Sequence, residues 1–194
     1  MEPSPKKGGE NIKMNRTEIY QLISILFQYP DEELLTLLPE LQVEVENLQD
    51  SKIQSPLSQF LHVLAETPED QLIEHYIEHF DFGRTTNLYI TYFHSGEARE
   101  RGIELLKLKE FYKEHGFDIT DNELPDYLPL MLEFCGNVPI HVSNDLLQNH
   151  YEEILEIRNR LHENHSYYAQ LLDALILLME KNGVTMPEMA EINH

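Results

Sequence analysis

One cysteine in 194 residues, Cys135, excludes an intrachain disulfide framework and a thiolate-built zinc site, and makes a reducing compartment the default. Long apolar runs are missing too. Spanning a bilayer takes about 20 such residues in a row, and the longest stretch, LLDALILLM, stops at nine. The opening MEPSPKKGGENIK lacks the apolar centre of a signal peptide. It reads as a flexible leader over residues 1–14, with Met14 as a second candidate start. A soluble, cytoplasmic protein with no direct membrane insertion is expected. The eight glycines fall mostly where helices would stop. No Gly-x-Ser-x-Gly elbow, phosphate-cradling loop or dinucleotide fingerprint occurs. Nothing in the chain has the pattern of a catalytic group, so a non-enzyme is expected.

Cations are scarce. Lys and Arg number 14 against 35 Asp and Glu, a formal charge of -21. A nucleic-acid binder gains affinity by neutralising phosphates, so this balance excludes that class and disfavours anionic membranes. The acids are blocked rather than dispersed. Residues 31–81 carry thirteen acidic side chains and one basic one, Lys52. Residues 114–156 carry ten acids and no Lys or Arg. Between them, Arg84, Arg99, Arg101, Lys107, Lys109 and Lys113 supply six of the 14 cations. The charge favours a basic partner or simply solubility, and solubility alone does not require such blocks.

What is present is helical periodicity. In TEIYQLISILFQYP, Ile19, Leu22, Ile23 and Leu26 share a face, with Thr17 as expected cap and Pro30 as stop. DEELLTLLPELQVEVENL opens on Asp31 as cap, and Pro39 is expected to kink or split it. SPLSQFLHVLAE and TPEDQLIEHYIEHF each open on a hydroxyl followed by proline at the first helical position. LYITYF has strand propensity but no partner strand, so DFGRTTNLYITYFHSG is expected as a loop with a short helix. EARERGIELLKLKEFYKEHG runs helical to Gly116. NDLLQNHYEEILEIRNRLHEN and SYYAQLLDALILLMEKNG supply further apolar stripes, and a loose tail is expected over 184–194. The expected fold is all-α, a single-domain helical bundle of about eight helices over residues 15–183.

His75 and His79 in EHYIEH stand one helical turn apart, where two imidazoles can chelate one metal. Tyr76 occupies the position where zinc proteases need Glu, so a solvated helix face is the preferred reading and no metal ligand is assigned. A metal-dependent helical-bundle enzyme using this pair is the alternative. HENH, His162–His165, has the wrong spacing, and the only Glu-x-x-His, Glu191–His194, sits at the terminus. Cys135 has no adjacent cation and reads as an inert buried thiol.

The segment ELPDYLPLMLEF carries Pro125 and Pro129 in front of an apolar helix. Both Leu124 and Leu128 precede proline and resist helix, so the regular helix should begin near Pro129 with LPDY as a stiff turn. That turn should leave backbone carbonyls unpaired and hold Asp126 at the mouth, with Glu133 about two turns on. Carboxylates beside Leu130, Met131 and Phe134 suit a partner both apolar and basic.

HFDFGRTTNLYITYFHSGEARERGIELLKLKEFYKEHGF followed by ELPDYLPLMLEF resembles the nitrate reductase delta subunit family, the nitrate reductase molybdenum-cofactor assembly chaperones. These belong to the wider redox-enzyme maturation chaperones. The resemblance runs over roughly 17–181 and is most specific over 79–136. It retains Phe80, Asp81, Arg84, Leu88, Tyr89, Tyr92, Gly96, Arg101 and Gly102, then Glu123, Leu124, Pro125, Asp126, Pro129, Glu133 and Phe134. Where the wider family often has Asp-His, this chain has Asp126-Tyr127, so no imidazole role carries over. The resemblance implies a non-catalytic cytoplasmic chaperone without a cofactor of its own. Its partner would be the N-terminal segment of the catalytic alpha subunit, held ready for molybdenum-cofactor insertion before membrane attachment. Molybdenum-cofactor biosynthesis proteins would be further partners. Peptide-binding positions are expected at Asp81, Arg84, Tyr89, Tyr92, Glu123, Asp126, Tyr127, Leu130, Glu133 and Phe134.

Overall fold

The computed structural model describes residues 14–83, 86–92, 98–120 and 123–186. The expected leader (but for Met14), most of the tail, and Arg84 lie outside these residues. The fold is all-α, as the periodicity requires: α1 (Arg16–Leu26), α2 (Glu32–Glu46), α3 (Ser51–Glu66), α4 (Glu69–Tyr76), α5 (Ala98–Glu114), α6 (Leu128–Asn137), α7 (Ile140–Gln148), α8 (Tyr151–Glu163) and α9 (Ala169–Lys181). A π turn, Ile77–Asp81, continues α4, and a 3-10 turn covers Ile90–Tyr92. NDLLQNHYEEIL, read as one helix, breaks between Gln148 and Tyr151. The break lets Leu146, Leu147, Tyr151 and Ile154 all reach the core.

Helix starts differ from expectation where a stronger cap lies upstream. Asn15, not Thr17, caps α1: its Oδ1 accepts from the Glu18 N–H at 3.0 Å, while Glu18 Oε2 accepts from the Asn15 N–H at 2.6 Å. Asp50 caps α3, which therefore starts at Ser51 and carries Pro56 inside it; the gain is that Ile53 joins Leu57 in the core. Pro39 does not split α2, which is assigned as one helix to Glu46. Pro39 lies on its exposed side, where water can satisfy the carbonyl that loses its donor. Asp31 caps α2 as expected, accepting from the Leu34 N–H at 3.0 Å.

α1 sits in the middle, packed on α6, α9 and α2, while α3 packs on α9 and α2 and α8 on α9. Its buried Ile19, Tyr20, Leu22, Ile23 and Leu26 wrap more than one face, as an enclosed helix requires. At its C-terminal end Phe27 meets an aromatic knot centred on Tyr168. Ring centroids of Phe80, Phe60, Tyr76 and Phe27 lie 4.8, 5.2, 5.9 and 6.2 Å from that of Tyr168.

After the π turn the chain folds back tightly. The Phe82 N–H donates to the Ile77 carbonyl at 3.0 Å, and the Thr86 hydroxyl donates to the His79 carbonyl. A Cβ on Gly83 would collide with that same His79 oxygen. Gly83→Ala is therefore expected to lower stability by about 1–3 kcal/mol, because backbone must move to admit one methyl. A urea midpoint equal to wild type would show that the turn has slack.

Candidate functional site

The two prolines at the mouth of α6 are explained by what replaces their missing donors. Pro129 has no N–H to offer the carbonyl four residues back, that of Pro125. The Tyr112 hydroxyl of α5 takes that role at 2.9 Å. Residues 88–90 satisfy the rest: Ile90 N–H donates to the Asp126 carbonyl at 3.0 Å, and Leu128 N–H to the Leu88 carbonyl at 2.8 Å. Tyr89 and Tyr127 thus form one antiparallel bridge, all that LYITYF makes of its strand propensity before the 3-10 turn. The helix begins at Leu128 behind a rigid turn, as the sequence predicts. The expected unpaired carbonyls are not found: those of Leu124, Pro125 and Asp126 all accept hydrogen bonds.

Asp126 also differs from expectation. It is not at an open mouth; its side chain is fully buried. Oδ2 accepts from the Thr91 hydroxyl at 2.6 Å, the Thr91 N–H at 3.3 Å and Arg101 Nη2 at 3.2 Å. The physical reason is the bridge, which turns residue 127 outward and its neighbour inward. Asp126 is a clamp joining the α6 mouth to α5 and the 3-10 turn, and cannot touch a peptide in this conformation. Tyr92 is exposed, with the Arg101 guanidinium 5.7 Å from its ring centre.

The remaining expected residues fall into two groups. In the first, the Tyr89 hydroxyl donates to Glu123 at 2.9 Å and its ring lies 5.2 Å from that of Tyr127. Burial and the Glu123 carboxylate push the Tyr89 hydroxyl up to about 12. The Tyr127 hydroxyl lies near that of Tyr76, which donates to the Phe27 carbonyl at 3.3 Å. The Tyr76 ring stands edge-on to Tyr29 at 5.3 Å. Four tyrosines, 89, 127, 76 and 29, thereby form a ladder. Asp81 is exposed and close enough to raise both Tyr76 and Tyr127, after burial itself. Beyond Tyr29 lies a cleft of about 360 Å³ lined by Ile25, Leu34 and Leu37 with Asp31 and Glu33.

The second group lies further along α6. Leu130, Glu133 and Phe134 line a cleft of about 270 Å³ with Tyr112, Phe117 and Asp118. Phe134 is buried as its floor, 4.7 Å from the Tyr112 ring and 5.1 Å from Phe117. The sequence reading put both groups in one patch. The helix separates them, because Met131, Leu132 and Cys135 are spent on the core. Tyr29, Tyr76, Thr91 and Tyr112 were not anticipated. A usable signal existed for Tyr76 alone, which continues the spacing of Leu72 and Phe80.

His75 and His79 do not form a solvated face. Their rings stack at 4.0 Å between centroids, and Tyr167 stacks on His75 from the other side at 4.1 Å. His75 Nε2 is 2.8 Å from Ser166 Oγ, and His79 Nδ1 is 2.8 Å from the His75 carbonyl. Burial, then the neighbouring His79, pulls the His75 imidazole down to about 4, so it is neutral at neutral pH. Cys135 is fully buried, and burial pushes its thiol up to about 12, in keeping with an inert role. No helix among the described residues is long and apolar enough to cross a membrane.

The family model described as the nitrate reductase delta subunit matches residues 46–173. Among curated relatives, a probable nitrate reductase molybdenum cofactor assembly chaperone, NarJ, of Bacillus subtilis is 42% identical, over 88% of this chain and 95% of that protein. The NarJ chaperone of Escherichia coli K12 is 30% identical, over 88% of this chain and 72% of that one. In fold, the chain is similar to the crystal structure of a candidate redox enzyme maturation protein from Archaeoglobus fulgidus. The TM-score is 0.63 at 22% identity, covering 90% of this chain and 99% of that one. These relatives are named as assembly chaperones and not as enzymes. With a matching model over most of its helices and two such relatives over most of its length, the chain belongs to the nitrate reductase delta subunit family of non-catalytic assembly chaperones.

Proposed function

We propose that this chain is a cytoplasmic assembly chaperone for respiratory nitrate reductase. It binds the N-terminal segment of the catalytic alpha subunit and holds it until molybdenum cofactor is inserted, before membrane attachment. The observation that carries this reading is the ladder of Tyr89, Tyr127, Tyr76 and Tyr29, bordered by Asp81, Glu123, Asp31 and Glu33. The faces of Tyr29, Tyr89 and Tyr127, with the buried Tyr76 behind them, accept aliphatic stems and guanidinium planes, and the carboxylates at the border pair with Lys or Arg of the same segment. Exposed Phe82 and Leu124, each next to one of these acids, extend the apolar part. The cleft at Leu130 and Glu133 takes a further side chain of the segment. Asp126 supports the surface from beneath and does not touch the peptide.

Calorimetric titration with the alpha-subunit N-terminal peptide tests this. Affinity is expected to fall as salt rises, since exposed charges are screened beyond about 8 Å at physiological ionic strength, while an apolar remainder persists. Asp81→Asn with Glu123→Gln keeps shape and removes charge; each charge-assisted hydrogen bond to the peptide that disappears should cost roughly 1.5–3 kcal/mol. Binding that ignores both salt and the double substitution would remove this surface from the account. Cells lacking the protein should make alpha subunit deficient in molybdenum cofactor; fully loaded reductase there would defeat the chaperone reading itself.

A further inference from the structure

Spacing alone offers His75 and His79 as a metal-binding pair; the fold replaces the solvated face with stacked, partly buried rings and brings Glu78 beside them. One ligand atom from each of the three lies within 4.8 Å of the others. We propose that these residues bind a single divalent transition-metal ion of the zinc or cobalt class, at the junction of α4 and the π turn. The proposal is independent of the peptide-binding reading and assigns the ion no catalysis.

Hydrogen bonding has already sorted the imidazole nitrogens. His79 Nδ1 is engaged by the His75 carbonyl, which can only accept, so Nδ1 carries the proton and Nε2 keeps its lone pair. Ser166 Oγ can accept from His75 Nε2–H, and in that tautomer Nδ1 keeps the lone pair and is the open nitrogen of the ring. A metal-binding histidine ordinarily has its second nitrogen oriented by such a partner. The His79 ring is buried and that of His75 half-buried, which shields the two nitrogens from competing water. Glu78 is exposed and free to swing in as the third, anionic ligand. Two imidazoles and a carboxylate form a mixed nitrogen and oxygen set with one position left for water.

The π turn contributes the geometry. Its wider i→i+5 register begins at Ile77, immediately before Glu78, and π turns concentrate at functional positions. Binding must move something. Ligands held tetrahedrally about 2.1 Å from an ion stand about 3.4 Å apart, so the three atoms have to close by rotation of their side chains. Stacked imidazole planes do not converge on one ion. Tyr167 restrains His75 from behind, so His79 and Glu78 make the adjustment and the His75–His79 stack opens.

The test uses full-length protein free of any histidine tag and treated with chelator. Co2+ is titrated by visible absorption, and Zn2+ by competition and calorimetry. One equivalent is expected to bind with a tetrahedral Co2+ spectrum, to displace the His75 and His79 imidazole NMR signals, and to raise the melting midpoint. Glu78→Gln, exposed and therefore safe for the fold, should weaken binding at least tenfold, and His79→Gln should abolish it. His162→Ala, elsewhere on the surface, should bind as wild type. Absence of saturable binding overturns the proposal. So does Glu78→Gln binding as tightly as wild type, which would place the ion among the other histidines or surface acids.

Discussion

Arg101→Ala is expected to cost about 3–5 kcal/mol of folding stability, the range for stranding a buried charge. The Asp126 side chain has no exposure at all, whereas Arg101 keeps 26%. Without the guanidinium, Asp126 retains Thr91 as its donor, and its Oδ1 has no partner among the described residues even in the intact protein. Asp126→Ala should cost less, near the lower end, because the partly exposed Arg101 can turn to water. The two losses should not add: once Asp126 is gone, removing Arg101 strands nothing. Urea denaturation of both single variants and the double variant measures the coupling. Additive losses, or an Arg101→Ala variant within 1 kcal/mol of wild type, would mean water reaches Asp126 and the clamp is weak. The functional consequence is specific. The clamp holds the turn that carries Glu123 and Tyr127, so on the proposed function these variants lose peptide binding because the fold gives way, not because a recognition group is missing.

Tyr168→Ala should be comparably severe, about 3–5 kcal/mol, as for large aromatic truncations in cores. Tyr168 is 1% exposed and touches rings from α3, from α4 with its π turn, and from the end of α1. The cavity left by its ring cannot collapse, because each neighbour is anchored in a different element. Tyr168→Phe keeps the ring and should stay within about 1.5 kcal/mol of wild type. Equal melting midpoints for Tyr168→Ala and wild type would show that the knot repacks around the gap. The ladder of Tyr76 and Tyr127 rests on this knot, so its order depends on a residue with no place at the surface.

Much of the outline was legible before any fold was known. Periodic Leu and Ile at three- and four-residue spacing mark every long helix, since an amphipathic stripe is a local pattern with a local cause. The start of α6 behind LPDY follows from proline stereochemistry alone. Helix beginnings were read less well, because Asn15 and Asp50 compete with nearby hydroxyls and prolines, and the winner depends on which apolar residues the core can take. The candidate site was legible in residue type but not in placement. Glu123, Tyr127, Tyr89 and Asp81 do share a surface, while Leu130, Glu133 and Phe134 open elsewhere.

By itself the sequence determined an all-α chain without disulfides, charged against nucleic acid, with acids in blocks and a stiff proline turn before an apolar helix. Each of these depends on composition or on neighbours within a few residues. Only the tertiary structure decided that Asp126 is a buried clamp, that Tyr112 supplies the donor Pro129 lacks, and that His75 and His79 are stacked beneath Tyr167. It also joined Tyr29 to Tyr127 through Tyr76, residues 98 positions apart along the chain. Burial and long-range hydrogen bonding depend on which elements meet, and one helix face looks the same in sequence whether water, a tyrosine or a partner comes to lie against it.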